Sequence, residues 1–377
     1  MTERYFDYAA TTPIDEVVIA DMLAHMGRDS NFGNPASSSH SFGQRARLAV
    51  ERARKQVAEL VGTTADRLIW TSGATESNNL ALKGLAGTAP QARRHIITSR
   101  LEHKAVLDTV QQLERDGFEV TWLQPDANGL IQPEAVAEAL RDDTLLVSLM
   151  LINNELGTVT DIAAIGQLVR EAGALLHVDA AQATGKVKID LSSLAVDLMS
   201  FSAHKTYGPK GIGALYVGER ARGLVEAQIH GGGHEQGLRS GTLATHQIVG
   251  MGSAFALACQ VMEVENRRIA QLSAQLCEGL LVLPGIHLNG CATQRVPHTL
   301  NLCIDSPWFN AESLVGRLAF SSTSACNSAS NAPSHVLLAL GLDSAQAYRS
   351  IRLSLGRSTS VEDVEVAIDA IRQCLPR

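Results

Sequence analysis

Lys205 lies in the densest cluster of side chains that could do chemistry in this sequence. The segment 200–213 reads SFSAHKTYGPKGIG, which sets Ser202 and His204 beside the lysine and glycines after it. An isolated lysine before a tight turn is more often a surface residue. Here an apolar strand ending near Phe201 would carry Lys205 to the edge of a sheet, where α/β proteins bind ligands. A lysine held in a pocket can have a lowered pKa and form an imine, while Ser202 and His204 offer donors suited to a phosphate.

Asp179 follows a second predicted strand, in the sequence HVDAAQ over 177–182. A carboxylate there could be a metal ligand, a helix cap or a charge partner. No second carboxylate or histidine follows at ligand spacing, so no metal site is expected. The productive interpretation is that Asp179 keeps the pyridine nitrogen of pyridoxal phosphate (PLP) protonated, which makes the ring an electron sink, with Gln182 near the ring hydroxyl. Together with Lys205, this pattern predicts an enzyme that carries PLP as a Schiff base on the lysine.

The segment 71–78, TSGATESN, indicates a strand, a turn of small residues and the start of a helix. Unpaired backbone N–H groups at such a start, here near Ala74 and Thr75, form an anion site that a phosphate can approach closely. The motif is weak alone, because Ser and Thr are common at helix starts. It also lacks the glycine patterns of nucleotide-binding loops. Its value comes from occurring in one chain with Lys205 and Asp179.

Three further residues are candidates for contacts with the cofactor or substrate. His103 follows a predicted strand; it is either a surface residue at a helix start or a ring that stacks on the pyridine and transfers protons. Asn154 follows the apolar run 145–152 and could contact either molecule. Arg352 alternates with apolar neighbours on a predicted strand, and its planar fork suits a substrate carboxylate. Without the other motifs, a half-exposed strand arginine would be the simpler interpretation.

Cys326 lies in a polar, serine-rich segment, SSTSACNSAS over 321–330. This composition favours an exposed, mobile loop, which differs from the usual burial of cysteine. A thiol of ordinary pKa is only a few per cent thiolate at neutral pH, so the site or the substrate would have to activate it. The remaining cysteines have no CxxC spacing and are expected to be incidental thiols: Cys259, Cys277, Cys291, Cys303 and Cys374.

Composition and periodicity indicate the scaffold that must position these residues. The 377 residues carry a net charge of −7, which gives no general attraction for nucleic acid or an anionic membrane. With no signal sequence and no apolar run near membrane length, a cytoplasmic location is expected. Helical stretches alternate with short apolar strands over about 17–258, which predicts a mostly parallel sheet.

The pattern changes after about residue 264. A long helix is predicted over 266–281, followed by strands and helices typical of an α+β domain. We therefore predict a large domain over 15–262. A smaller α+β domain would comprise residues 1–14 and 263–377, with the N-terminal segment crossing over to join it.

With these motifs in order, the sequence closely resembles the cysteine desulfurases of the NifS/IscS-like branch, in the class V aminotransferase group. The resemblance runs from about residue 7 to 357, and its most specific motifs are SAHK over 202–205, HGGGHEQGLRSGT over 230–242 and SAC over 324–326. It implies an α/β, fold type I PLP-dependent transferase with a mostly parallel seven-stranded sheet in the large domain. It also implies a homodimer with active sites near the interface.

The resemblance further implies a role for each candidate residue. The catalytic residues would be Lys205 as the Schiff-base lysine, His103 as the stacking acid/base and Cys326 as the persulfide-forming nucleophile. The ring of PLP would contact Asp179, Gln182 and Asn154. Its phosphate would be bound by Ala74, Thr75, Ser202 and His204, with Thr242 reaching the phosphate of the neighbouring subunit. Substrate would be held by Asn154 and by Arg352, which binds the carboxylate.

The implied reaction removes sulfur from L-cysteine to give L-alanine and a persulfide on Cys326. The sulfur would pass to an acceptor protein for iron–sulfur cluster assembly, tRNA thiolation or DNA phosphorothioation, with no direct nucleic-acid binding. Departures from the family pattern, such as Thr323 where glycine is common, leave the acceptor open. The alternatives are another PLP lyase or aminotransferase on this fold, a selenocysteine lyase, or a scaffold protein. A scaffold would be expected to have lost Lys205, His103 or Cys326.

Overall fold

Helices and short strands alternate along most of the chain, in a computed structural model that describes residues 3–322 and 332–375. The strands are β1 (Arg4–Tyr5), β2 (Leu68–Thr71), β3 (His95–Ser99), β4 (Glu119–Leu123), β5 (Thr144–Met150), β6 (Leu175–Asp179), β7 (Leu198–Ser202), β8 (Gly213–Val217), β9 (Ile286–Leu288), β10 (Thr299–Ile304), β11 (Leu318–Ala319) and β12 (Ser350–Ser354). The helices are α1 (Glu16–Leu23), α2 (Ser41–Leu60), α3 (Ala74–Gly87), α4 (Lys104–Arg115), α5 (Pro133–Ala139), α6 (Ile162–Glu171), α7 (Thr245–Leu281), α8 (His335–Ala339), α9 (Ser344–Tyr348) and α10 (Val361–Arg372).

Seven strands form the central sheet, in the order β2-β8-β7-β6-β5-β3-β4. β8 pairs antiparallel with both of its neighbours, and the other pairs are parallel. Every residue of β5 is buried, as expected of a strand that is covered on both faces. The α/β architecture with a mostly parallel seven-stranded sheet is confirmed, and it is that of fold type I.

Side chains of the central sheet alternate between its two faces. Ile69 of β2 lies on one face, in a core that also contains Leu82 of α3 and Ile96 of β3. The next residue, Trp70, packs on the other face in a core that includes Val57 of α2. Because parallel strands end at the same edge, the residues that follow β3, β5, β6 and β7 meet there.

A second core is built from both ends of the chain. The strands β12-β10-β9 form an antiparallel sheet, and β1 pairs in parallel with β11. Phe6, from the N-terminal segment, is fully buried in this core together with Leu300 of β10 and Ile371 of α10. The N-terminal segment therefore joins the C-terminal region. α7 runs unbroken through residues 262 and 263, and the domain division at that point stays a prediction.

The helix α7 has 37 residues and begins well before the helix predicted over 266–281. By length and composition alone it could cross a membrane, although no apolar run of that length was expected from the sequence. In this fold it packs against α1 and α2, and side chains such as Met251 and Phe255 lie fully buried in the core beside the central sheet. These contacts give α7 a structural role as a core helix.

A buried ion pair anchors the loop that carries Thr242. Glu235 accepts hydrogen bonds from both terminal nitrogens of Arg54, at 2.7 and 2.9 Å, and from the backbone N–H of Trp70 at 2.7 Å. Glu235 and the next residue, Gln236, have φ of +52° and +58°, a left-handed conformation that non-glycine residues adopt only when their surroundings hold them. The ion pair therefore fixes the loop to α2 and β2.

We expect Glu235→Gln to lower the free energy of unfolding by about 3 kcal/mol, because Arg54 would keep a buried charge whose one remaining charged partner among the described residues is the exposed Glu51. Urea denaturation of the cofactor-free protein measures this. Glu219→Gln is the matched control, since it removes an exposed pair with Arg67 and should cost less than about 1 kcal/mol. Equal losses in the two variants would show that the buried pair does not anchor the loop.

Candidate active site

A cavity of about 400 Å³ opens at the carboxyl edge of the central sheet. Loops that follow β2, β3, β5, β6 and β7 contribute to its lining, and β12 closes it from the second core. Within the described ranges, the cavity brings together every predicted site residue except Thr242, namely Ala74, Thr75, His103, Asn154, Asp179, Gln182, Ser202, His204, Lys205 and Arg352. Residues distant in sequence thus meet at one place, as expected for an α/β protein.

Asp179 is buried at the end of β6 and held by two donors. Its Oδ2 accepts from the Asn78 side-chain amide at 2.8 Å, and its Oδ1 accepts from the backbone N–H of Ala181 at 2.9 Å. These contacts fix the direction of the carboxylate. Asn78 was not singled out from the sequence, although it lies in the segment 71–78. Its position in α3, one turn after the helix start, was the signal that could have found it.

The start of α3 forms a cradle for an anion. No side chain caps this helix, so the N–H groups of its first turn, at Ala74 and Thr75, have no partner within the helix. A Cβ on Gly213 would come within 2.6 Å of the Cα of Gly73, so glycine is needed for the close approach of β8 to this turn. Ser202 lies at the same cavity. This combination of donors fits a phosphate group.

His204 and His177 are both neutral under ordinary conditions. Burial, and then the cations of Lys205 and Lys210, lowers the pKa of His204 to about 4. Burial likewise lowers the pKa of His177 to about 4, and its ring bridges hydroxyls on the neighbouring strands. His204 therefore offers a neutral ring to the cavity, whereas His177 joins the strands behind Asp179.

His103 caps α4 and lines the cavity at the same time. Its Nδ1 accepts from the backbone N–H of Ala105 at 3.1 Å, so the proton of the neutral ring lies on Nε2. Burial, and then the nearby Lys205, lowers the pKa of His103. The two interpretations of this histidine, a helix start and a cavity residue, are therefore compatible.

The neighbouring residue, Glu102, was missed in the sequence. It is fully buried, and burial raises the pKa of its carboxyl to about 8, so at neutral pH it is mostly protonated. Its Oε1 accepts from the hydroxyl of Ser99 at 2.6 Å, and its backbone carbonyl contacts the ring of His335 at 3.0 Å. Nothing in the local sequence distinguishes this glutamate from a surface residue at a helix start.

Arg352 is buried, so the alternative of a half-exposed strand arginine is wrong. One terminal nitrogen donates to the Asp7 carboxylate and to the Ser321 hydroxyl, both at 2.8 Å. The other donates to the backbone carbonyl of Asn154 at 2.9 Å, and the buried Nε atom has no partner among residues 3–322 and 332–375. The guanidinium is therefore held rigidly at the cavity by groups from three parts of the chain.

One predicted residue that the structure describes, Thr242, does not line this cavity. Thr242 is exposed on the loop that Glu235 anchors, and its expected contact with a neighbouring subunit stays a prediction. Cys326 and Thr323 lie outside the described residues. In the ranges 3–322 and 332–375, no group of three or more His, Cys, Asp or Glu side chains is placed to hold a metal ion.

Several known proteins are similar to this chain over most of its length. The sequence profile described as aminotransferase class-V matches residues 4–366. A protein named cysteine desulfurase IscS from Azotobacter vinelandii is 59% identical over 366 residues, which cover 96% of this chain and 90% of that protein. A solved structure of a NifS-like protein covers 99% of both chains at 36% identity, with a TM-score of 0.90. A structure described as SspA in complex with cysteine is 40% identical and covers 93% of this chain and 98% of that chain, with a TM-score of 0.83.

The match over nearly the whole chain and the shared fold define the class of protein. This chain belongs to the class-V aminotransferase family. Its nearly full-length relatives include proteins named cysteine desulfurases, as the motifs around Lys205 and Cys326 indicated.

Proposed function

We propose that this protein is a cysteine desulfurase that uses PLP to take sulfur from L-cysteine, releasing L-alanine and leaving a persulfide on Cys326. One observation supports the proposal most strongly: Lys205, Asp179, the uncapped start of α3 and Arg352 line one cavity. An amine, a carboxylate partner, an anion cradle and a carboxylate receptor are the parts that a PLP enzyme needs to act on an amino acid. The likeness to cysteine desulfurases favours sulfur removal among the reactions of such enzymes.

The residues of the cavity fit PLP in charge and in kind. The N–H groups at Ala74 and Thr75, with Ser202 and His204, would hold the phosphate. Asp179, directed by its two donors, would keep the pyridine nitrogen protonated. When bound, PLP supplies an electron sink that stabilises negative charge at the substrate Cα and activates the bond from Cβ to sulfur.

The chain's own residues would handle the protons. Lys205 lines the cavity together with the proposed phosphate ligands Ser202 and His204. Its amine, once free of the cofactor, would be the base that takes the proton from the substrate Cα. His103 would be an imidazole near neutral pH, with a proton on Nε2 to give and its Nδ1 tied to α4. It would therefore stack on the ring in one fixed orientation and transfer a proton only through Nε2.

Arg352 would bind the carboxylate of the substrate. Its guanidinium is preorganised by Asp7, Ser321 and the carbonyl of Asn154, and its buried Nε has no partner in the part of the chain that the structure describes. A carboxylate that reaches this group would form charge-assisted hydrogen bonds in a place already shielded from water. Ser321 begins the serine-rich segment that carries Cys326, so substrate recognition and the nucleophile's segment share one anchor.

We expect Arg352→Gln to raise KM for L-cysteine and to lower kcat/KM by about 30- to 100-fold, the effect of losing a charge-assisted contact. Steady-state rates of alanine formation measure both parameters. Arg349→Gln is the control, because that arginine pairs with Asp305 at a partly exposed position and should change kcat/KM less than about twofold. An unchanged KM in the Arg352 variant would exclude the carboxylate contact.

Cys326 would then remove the sulfur. Its thiolate attacks the sulfur of the substrate, an S–S bond forms as the Cβ–S bond breaks, and the bonding pair stays with the carbon skeleton that becomes alanine. The persulfide is passed to an acceptor protein, for iron–sulfur cluster assembly, tRNA thiolation or DNA phosphorothioation. The same sulfur would have to be received inside the cavity and delivered outside it.

The proposal includes the setting in which the enzyme works. It would be a homodimer, with Thr242 completing the phosphate site of the neighbouring subunit, and it would act in the cytoplasm. The net charge of −7 gives no general attraction for nucleic acid, which supports transfer of the sulfur to a protein acceptor without direct nucleic-acid binding.

A substrate panel separates this function from other PLP reactions. Purified PLP-loaded protein is incubated with L-cysteine, or with other amino acids and a 2-oxo acid, and the products are quantified. A desulfurase gives alanine and reducible sulfur from L-cysteine and does not transfer amino groups to the oxo acid. Amino-group transfer at a higher rate than alanine formation would replace the proposal with an aminotransferase.

A further inference from the structure

Lys186 is a lysine whose side-chain amine is buried and which has no role in the proposed reaction. It lies in the turn after β6, and its Nζ donates to the side-chain oxygen of Gln182 at 2.7 Å. Its backbone carbonyl accepts from the Asn266 amide at 2.8 Å, which ties the turn to α7. Burial, and then the cations of Lys205 and Arg352, lowers the pKa of Lys186 to about 7. Burying a lysine amine costs free energy unless a hydrogen-bond partner compensates for the lost water, and here Gln182 is that partner.

Lys186 and the Ala9 carbonyl together determine which way the Gln182 amide faces. A glutamine amide has one acceptor oxygen and one NH₂ donor, and a lysine amine next to it supplies a donor. The oxygen of Gln182 therefore faces Lys186, and its nitrogen donates to the backbone carbonyl of Ala9 at 2.7 Å. The second N–H of that nitrogen is left for the active-site cavity that Gln182 lines.

Behind the active site, Lys186 lines a second, smaller cavity. Its lining includes His298, whose pKa burial lowers to about 3, so that ring is neutral and adds no charge. Lys205 lines both cavities, which places Lys186 on the far side of the proposed cofactor lysine. The hydrogen bond to Gln182 thus joins Lys186 directly to a side chain that lines the active-site cavity.

We propose that Lys186 is a positioning residue that holds the Gln182 amide with its N–H directed at the ring oxygen of PLP. Without this donor, only the Ala9 carbonyl orients the amide, so its N–H is held less firmly toward the ring oxygen. The inference rests on the proposed function for the presence of PLP. It concerns a residue behind the cavity that does not contact the cofactor itself.

A double-mutant cycle on PLP binding tests the inference. Full-length protein is stripped of cofactor and titrated with PLP, and binding is followed by the visible absorbance of the bound cofactor. We expect Lys186→Met and Gln182→Ala each to weaken PLP binding by about five- to tenfold, the effect of one lost hydrogen bond. If Lys186 acts through Gln182, the double variant is no weaker than Gln182→Ala. Additive losses, or unchanged binding in Lys186→Met, would overturn the inference.

Two further variants control for charge and folding. Lys188→Met removes an exposed lysine two residues away and should leave PLP affinity within about twofold. Lys186→Arg keeps a donor that can reach Gln182 and should recover most of the affinity, which a purely structural role of the lysine would not predict. If Lys186→Met does not fold, Lys186→Leu replaces it in the cycle. A wild-type protein that binds no PLP would contradict the proposed function, whereas the outcomes above concern Lys186 alone.

Discussion

Replacing Lys205 with alanine should lower the rate of alanine formation from L-cysteine by at least about 10⁴-fold. The change removes both the covalent attachment of PLP and the base for the Cα proton, and proton transfer alone contributes about 10²- to 10⁴-fold. Cofactor contacts with Asp179 and the start of α3 remain, so the variant should still bind PLP non-covalently. The measurements are turnover with L-cysteine and the visible spectrum of the cofactor with and without reduction by borohydride.

Lys210→Ala is the matched control for this prediction. Lys210 lines the rim of the same cavity, but its side chain is exposed. Its removal should change turnover by less than about tenfold, as expected for a screened surface charge. If Lys205→Ala kept turnover within tenfold of the wild type, Lys205 would not be the lysine that binds PLP covalently, and the proposed active site would be wrong.

Replacing Cys326 with serine should abolish persulfide formation and reduce alanine formation by about 10³-fold or more, because a serine hydroxyl is not ionised at neutral pH and is a weak nucleophile toward sulfur. The variant should still bind PLP and L-cysteine, since the groups that hold them are untouched. Mass spectrometry of the protein after a single turnover detects the added sulfur, and amino-acid analysis detects alanine.

Cys291→Ser is the control that tests whether a readily ionised thiol outside the active-site cavity could be the nucleophile instead. Hydrogen bonds from Gln294 and Thr293 lower the pKa of Cys291, so this thiol forms thiolate more readily than an ordinary cysteine. It does not line the active-site cavity. The variant should therefore keep full activity. Loss of activity in Cys291→Ser with a normal Cys326→Ser enzyme would reverse the assignment of the nucleophile.

Local patterns in the sequence were enough to predict the central sheet and most of the cavity. Asp179, Ser202 and Lys205 follow apolar strands, and the rule that parallel strands end at one edge brings such residues together. The segment at Ala74 was predicted from a different local pattern: small residues before a helix leave backbone N–H groups that can bind an anion. Each of these inferences needs only the neighbouring residues and the direction of the strands.

Contacts between distant segments could not be predicted in this way. Asn78 holds Asp179, and Asp7 holds Arg352 from the opposite end of the chain, although neither pair has a spacing that marks it. The start of α7 at Thr245 was missed because its first turns are apolar on several sides, so no helical stripe distinguishes them. Burial also changes chemistry that the sequence leaves open, as for Glu102, whose pKa rises only because the fold encloses it.

The most direct test of the account is the formation of alanine from L-cysteine by the PLP-loaded wild-type protein in the presence of dithiothreitol. The thiol reduces the persulfide on Cys326 and so completes the cycle without the natural acceptor. We predict equal amounts of alanine and released sulfide, and neither product from Cys326→Ser under the same conditions. A yellow, PLP-loaded wild-type protein that forms no alanine, or a Cys326→Ser protein that forms as much as the wild type, would contradict the account.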